Sequence, residues 1–175
     1  MEIRTSRRNY IGAVSEALYI AEDKIGNYYK FSFGQWKRHH FDVRTMGEPA
    51  TDVVSRVAFA MLNKGSRVIG GYDSKTKLRD FYLICLQDRH IMRAVNRDRN
   101  LSLLPLLIYV FTHELVHIVR FCNFFQRFDI SGKEREEEES RVHKITFDVL
   151  KDITLPKMDY VLESYRNYRI CDIVI

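Results

Sequence analysis

The chain has few of the residues that staple or interrupt a fold. Three prolines and three cysteines stand among 175 residues. The cysteines, Cys85, Cys122 and Cys171, are odd in number, far apart and set among apolar neighbours, and no Cys-x-x-Cys occurs. That excludes a disulfide framework and suits reduced thiols in a cytoplasmic protein. Long runs of one charge are missing too: the formal charge is only +5, from 28 basic and 23 acidic residues. Without a basic arm, a nucleic-acid partner is not expected. No internal repeat, low-complexity linker or composition shift divides the sequence, so residues 1–175 read as one domain with a packed core. The basic start leads into a partly apolar stretch, but Ser15 and Glu16 interrupt it, which argues against a secretory signal.

Long hydrophobic stretches are also scarce, with one exception. Leu101 to Val119 is nearly continuous in apolar residues and about as long as a bilayer span. Its second half contains His113, Glu114 and His117, which would be costly in lipid, and no comparable stretch is present to enclose them. A helix buried on all sides in a soluble core is expected, with no membrane partner.

Around that segment the pattern changes period several times. Residues 10–23 carry apolar side chains at helical spacing. Residues 50–65 read as a second helix, with Thr51 or Asp52 as cap, a stripe of Val53, Val54, Val57, Ala58 and Met61, and Gly65 after its end. Two short β-branched and aromatic stretches, 67–72 and 80–86, read as strands, and His90 to Val95 as a further one. A long helix opens near Leu104-Pro105 and runs to about Phe125. Another follows Asp129 to Gly132, where Ser131 and Glu134 form a capping-box pattern and Glu134 to Glu139 bring negative charge to the positive end of the helix dipole. Beyond Pro156, a last helix ending in a short strand is expected.

The chemistry is concentrated in His113-Glu114-Leu115-Val116-His117. Residues four apart on a helix lie one turn above one another, so the two imidazoles can meet a single zinc ion. Glu114 lies beside them, poorly placed to be a ligand but able to take a proton from a polarised water. A third ligand must come from elsewhere. On the second long helix the apolar stripe runs through Val142, Thr146, Val149 and Leu150, and Glu139 lies one turn earlier on the same stripe. Glu138 lies on its other border, Glu136 near the face of His143, and Glu137 towards solvent, so Glu139 is the expected ligand with Glu138 as fallback. The plain alternative is a core helix whose histidines are satisfied by nearby carboxylates, below a solvated acidic helix start.

This pairing of HELVH with a glutamate 22 positions after its second histidine resembles the gluzincin clan of zinc metallopeptidases, and especially its short single-domain forms, the minigluzincins. The resemblance covers residues 104–150. It implies an α+β fold in which a small mixed sheet packs against an active-site helix and a glutamate helix, here with additional N-terminal helices. It also implies Zn2+ held by His113, His117 and Glu139, and hydrolysis of a peptide bond in a peptide or protein substrate with Glu114 as general base. In the clan the ligand glutamate is often followed four residues on by an aspartate that supports a zinc histidine. Here His143 stands at that place, and three roles are open to it: support, transition-state stabilisation or ligation. His90, Tyr160, Tyr165 and Tyr168 are weaker candidates for oxyanion donors. His39-His40, beside Trp36, read as part of a polar loop. Two other functions fit the same sequence: a zinc-dependent regulatory protein that acts on one partner with little general proteolysis, and a non-enzymatic basic binding module with structural histidines.

Overall fold

The computed structural model describes residues 2–45, 58–69, 77–123, 127–166 and 171–174. In chain order its elements are α1 (Glu2–Tyr29), α2 (Phe33–Trp36), β1 (Phe41–Arg44), β2 (Ala60–Ile69), β3 (Lys77–Leu86), α3 (Asp88–Arg97), α4 (Leu103–Cys122), α5 (Gly132–Leu150), α6 (Met158–Tyr165) and β4 (Cys171–Val174). This is the expected α+β class.

The apolar run becomes α4, and every residue from Pro105 to Phe121 is buried. Ser102 precedes it in extended conformation, and Pro105 falls in the first turn, where the backbone N–H it lacks would have no helical partner. By length and hydropathy α4 could cross a membrane, but 89% of that span is buried within the fold. It is thus a core helix. Fully buried Leu106, Leu107, Ile108, Leu115, Val116 and Ile118 each contribute about 1.5–3 kcal/mol through removal from water. On one side lies α1, whose buried Val14, Ala17, Ala21 and Ile25 form a stripe at helical spacing. Its two alanines allow close approach to α4. On other sides lie α3, α5, α6 and β2.

The four strands form one mixed sheet in the order β1-β3-β2-β4. β1 runs parallel to β3, with Phe41 opposite Tyr82; β3 runs antiparallel to β2, with Leu86 opposite Ala60; β2 runs parallel to β4, with Ala60 opposite Cys171. The core end of the sheet holds Ala60, Met61, Leu62, Tyr82, Ile84 and Leu86.

Two expected elements are corrected. The helix expected over 50–65 lies outside the described residues from 50 to 57, and from Ala60 onward it is strand β2, with Gly65 paired to Phe81 inside it. The reason is that β2 is a central strand, and its successive residues Ala60, Met61 and Leu62, which point to opposite faces of the sheet, are all buried. A continuous apolar run of that kind has no period of two to separate it from a helix. The strand expected at His90 to Val95 is part of helix α3: buried Ile91 and Ala94 are three apart, with Asp88 in its first turn and Arg97 in its last. Local charge at the helix ends and tertiary burial outweighed the β-branched residues there. The stretches 67–72 and 80–86 belong, as far as they are described, to one antiparallel pair, β2 and β3. Ser131 does occupy the N-cap of α5, but its side chain makes no capping hydrogen bond. Arg135 instead reaches back to the Ile130 carbonyl from Nε and Nη2.

Candidate metal centre

Helix α4 delivers His113 and His117 one turn apart, and α5 delivers Glu139 opposite them. The Nε2 atoms of the two histidines are 3.2 Å apart. Glu139 spans the pair, with Oε2 at 3.3 Å from His113 Nε2 and Oε1 at 3.1 Å from His117 Nε2. Hydrogen bonding alone accounts for the two contacts to Glu139 but not for the third, between the imidazoles. Each Nε2 carries at most one proton, lying in the ring plane, so two protons aimed at Glu139 leave the imidazoles facing each other without a bond. A central cation fits the spacing. Zinc bonds to nitrogen and oxygen of about 2.0–2.2 Å in a tetrahedron put neighbouring ligand atoms about 3.3 Å apart.

Electrostatics lead to the same requirement for positive charge. Burial pulls the His113 imidazole down to about 4, although Glu139 opposes it. His117 is equally buried, yet the charge and hydrogen bond of Glu139, with the charges of Glu114 and Glu138, outweigh burial and raise it above its usual 6.5. Glu139 in turn is held well below the usual carboxylate range: burial pushes it up, but the charge on His117 and hydrogen bonds from both histidines win. Without a metal, a proton on His117 supplies the cation that the carboxylate demands.

His113, Glu114 and His117 have no exposed surface, whereas the Glu139 side chain retains 25% of its accessibility. Glu114 shares the buried face of α4 closely enough to raise His117. The Nδ1 atoms of His113 and His117 have no hydrogen-bond partner among the described residues, although a zinc histidine commonly donates from its second nitrogen.

His143 also joins the cluster. Its ring centroid lies 4.6 Å from that of His113, and one potential ligand atom from each of His113, Glu139 and His143 falls within 4.8 Å of the others. Its Nδ1 is 2.9 Å from the Tyr109 hydroxyl.

One expectation about the acidic run needs revision. Glu139 meets the histidines, but the most deeply buried glutamate of the run is its neighbour Glu138, at 2% exposure. Glu138 is turned the other way: Arg120 of α4 grips both its oxygens, Nε to Oε1 and Nη2 to Oε2 at 2.9 Å, and Arg141 adds a contact at 3.4 Å. Two consecutive glutamates therefore both face inward, because adjacent helical positions diverge by about 100° and α4 has polar partners in each direction. Glu137 is exposed, as expected, beside Lys133, and Glu136 is exposed too.

The polar contacts of Arg120 and Tyr109 beside the cluster are not apparent from the sequence pattern. Arg120 is the only cation in α4, three positions beyond His117, and Tyr109 is four positions before His113. A lone charge on an otherwise buried helix signals a buried partner. The weaker candidates are engaged elsewhere. His90 Nδ1 lies 3.2 Å from the Ala58 carbonyl, the exposed Tyr160 hydroxyl donates to Asp98, and the Tyr165 ring packs against Phe59. Tyr168 lies outside the described residues. His39 is no polar-loop residue: it is buried against Phe31 and Trp36, with Nδ1 at the Gln35 carbonyl, while His40 contacts Arg79. Comparison with known proteins finds no matching family model, no matching curated protein and no matching solved structure.

Proposed function

We propose that the chain is a zinc-dependent peptide hydrolase of the gluzincin type, with the ion held by His113, His117 and Glu139. The observation that carries this reading is the convergence of four atoms, the two histidine Nε2 atoms and the two Glu139 carboxylate oxygens, at separations of 3.1, 3.2 and 3.3 Å, close to the ligand–ligand edges of a zinc tetrahedron. When bound there, zinc would supply a Lewis acid that polarises a peptide carbonyl and an attacking water. Glu114 would take one proton from that water and return it to the leaving amine, so the carboxylate ends as it began. Buried side chains around the trio, among them Tyr109, Phe111 and Leu115, would keep other water from competing.

One observation favours a narrow substrate range, hence a regulatory role on one or a few partners over digestion of bulk protein. Of the three ligands only Glu139 meets solvent to any extent. Cys85 and Cys122 are free thiols, which suits a reducing compartment such as the cytoplasm. Elemental analysis after incubation with zinc should give close to one ion per chain. Glu114→Gln should keep that ion and the fold while losing hydrolysis of a peptide library by orders of magnitude. Negligible metal would overturn the proposal in favour of structural histidines. Unchanged turnover in the variant would remove Glu114 as the base.

A further inference from the structure

Helix α3 takes no part in the site, and the sequence scatters its cations as Arg89, Arg93 and Arg97, with Arg99 just beyond its end. Folding aligns the first three. At about 100° per residue, positions 89, 93, 96 and 97 fall within an arc of about 100°. All four are exposed, whereas Ile91 and Ala94 are buried on the opposite side. The guanidinium groups of Arg89 and Arg93 have no partner among the described residues, and Arg97 has the charge of adjacent Asp98. The acids of the segment are turned to other groups: Asp88 accepts from the Tyr10 hydroxyl of α1 at 2.8 Å, and Asp98 from the Tyr160 hydroxyl and the Asn100 backbone N–H. Near the end of the row, exposed Lys157 donates to the Arg99 carbonyl at 2.7 Å and adds another cation. Helix stability does not explain this row. Like charges four residues apart repel, and Arg89 stands in the first turn, at the positive end of the dipole; only Arg97 suits the end at which it lies.

We propose that the exposed face of α3 is a docking surface for double-stranded DNA, with Arg89, Arg93 and Arg97 as its phosphate contacts. What the face carries selects that partner. The centre of a protein–protein interface is rich in apolar groups and poor in charge, but this face presents three arginines and the amide of Asn96, and no large apolar side chain is exposed on it. A helix that lies on a membrane needs a free apolar face, and that of α3 is buried in the core. Single-stranded nucleic acid needs aromatic rings on which bases stack, and α3 has none. A duplex backbone asks only for cations and hydrogen-bond donors. The major groove of B-form DNA, about 12 Å wide, admits an α-helix, whereas the deep, narrow groove of duplex RNA does not. The missing basic run in the sequence excludes a flexible arm, but not a row assembled by the helical period. This inference is independent of the metal reading.

Fluorescence anisotropy of the full chain with a labelled DNA duplex of about 20 base pairs and mixed sequence tests it. The expected Kd is about 10⁻⁴–10⁻⁶ M at about 0.15 M NaCl, and binding should weaken steadily with added salt. The triple variant Arg89→Gln, Arg93→Gln, Arg97→Gln should bind about tenfold more weakly or worse, with the slope of log affinity against log salt flatter by about three, since each phosphate contact contributes about 0.9. Removal of the same charge elsewhere, by Arg38→Gln, Lys133→Gln and Lys144→Gln, should leave that slope close to the parent's. No binding by the parent overturns the proposal, and so does an equal loss in the second triple variant, which would make net charge the cause. Tighter binding to duplex RNA or to single-stranded DNA of the same length overturns it too. Polyglutamate held as tightly as the duplex, and lost as fully in the first triple variant, would replace DNA with an acidic protein partner.

Discussion

Zinc binding to the metal-free protein should release one proton per ion near pH 6. The geometry and charges of the cluster set that count. Zinc takes ionised carboxylate and neutral imidazole. Glu139 is already ionised, since the two histidines hold it well below the usual carboxylate range, and His113 is already neutral, because burial pulls it down to about 4. His117 alone carries a proton at pH 6: burial opposes that proton, but Glu139, Glu114 and Glu138 together hold it above 6.5. Apparent zinc affinity should therefore fall about tenfold, or about 1.4 kcal/mol, for each pH unit below the titration of His117. The same shifts decide how the metal-free fold responds to pH. With its value raised on folding, His117 contributes stability that is complete below 6.5 and is lost as pH rises through its folded value. Glu139, depressed on folding, contributes stability that is complete above about 4.5 and is lost as pH falls. The metal-free protein thus weakens in both directions, whereas zinc should stabilise it more as pH rises towards neutral. Isothermal titration calorimetry at pH 6 in buffers of different ionisation enthalpy reads the proton count from the slope of heat against that enthalpy. A slope of one is expected. Zero would mean that His117 was neutral before zinc arrived, and two that His113 was also protonated; either result refutes the charge assignment even though zinc still binds.

Glu139→Ala should weaken zinc binding strongly and Glu137→Ala should leave it unchanged, measured by competition with a chromogenic chelator; equal affinity in Glu139→Ala and the parent would move the ligand elsewhere. His143→Ala should cost about 10- to 100-fold in the same assay if the imidazole only supports the site, and a loss as deep as that in His113→Ala would make it a ligand. Arg120→Met leaves the carboxylate of Glu138, 2% exposed, without its main partner, and should destabilise the protein by about 3–5 kcal/mol in urea denaturation. The double variant Arg120→Met with Glu138→Leu should recover most of that loss; a double variant as unstable as the single one would show that the pair is not the source.

The helices that build the site were legible because their signals are local and periodic. The apolar run gave α4, the acidic start gave α5, and His113, His117 and Glu139 could be placed on facing sides from spacing alone. The neighbouring strand was misread for a physical reason. Ala60, Met61 and Leu62 are apolar because β3 and β4 flank them and both faces of β2 are covered, and no property of the segment itself shows that. Glu138 was underrated in a similar way. Its inward direction depends on Arg120, a residue of another helix, and the sequence alone does not show which of two border positions will find a cation. The Tyr109 contact was out of reach for a further reason: its second partner is the backbone carbonyl of Tyr165, and carbonyls leave no trace in residue identity.

Full burial of His113 and His117 has a consequence for kinetics. On the proposed metal reading, an ion between them would exchange past Glu139, the one of the three proposed ligands with exposed surface, and α5 is tied to α4 by the Arg120–Glu138 pair beside it. Metal loss is then timed by how often α5 parts from α4, a local opening whose frequency belongs to the protein. Extraction by a strong chelator should proceed at a rate that stops rising once chelator is in excess. Loosening the tie at Arg120 should hasten it, even in a variant that keeps all three ligands.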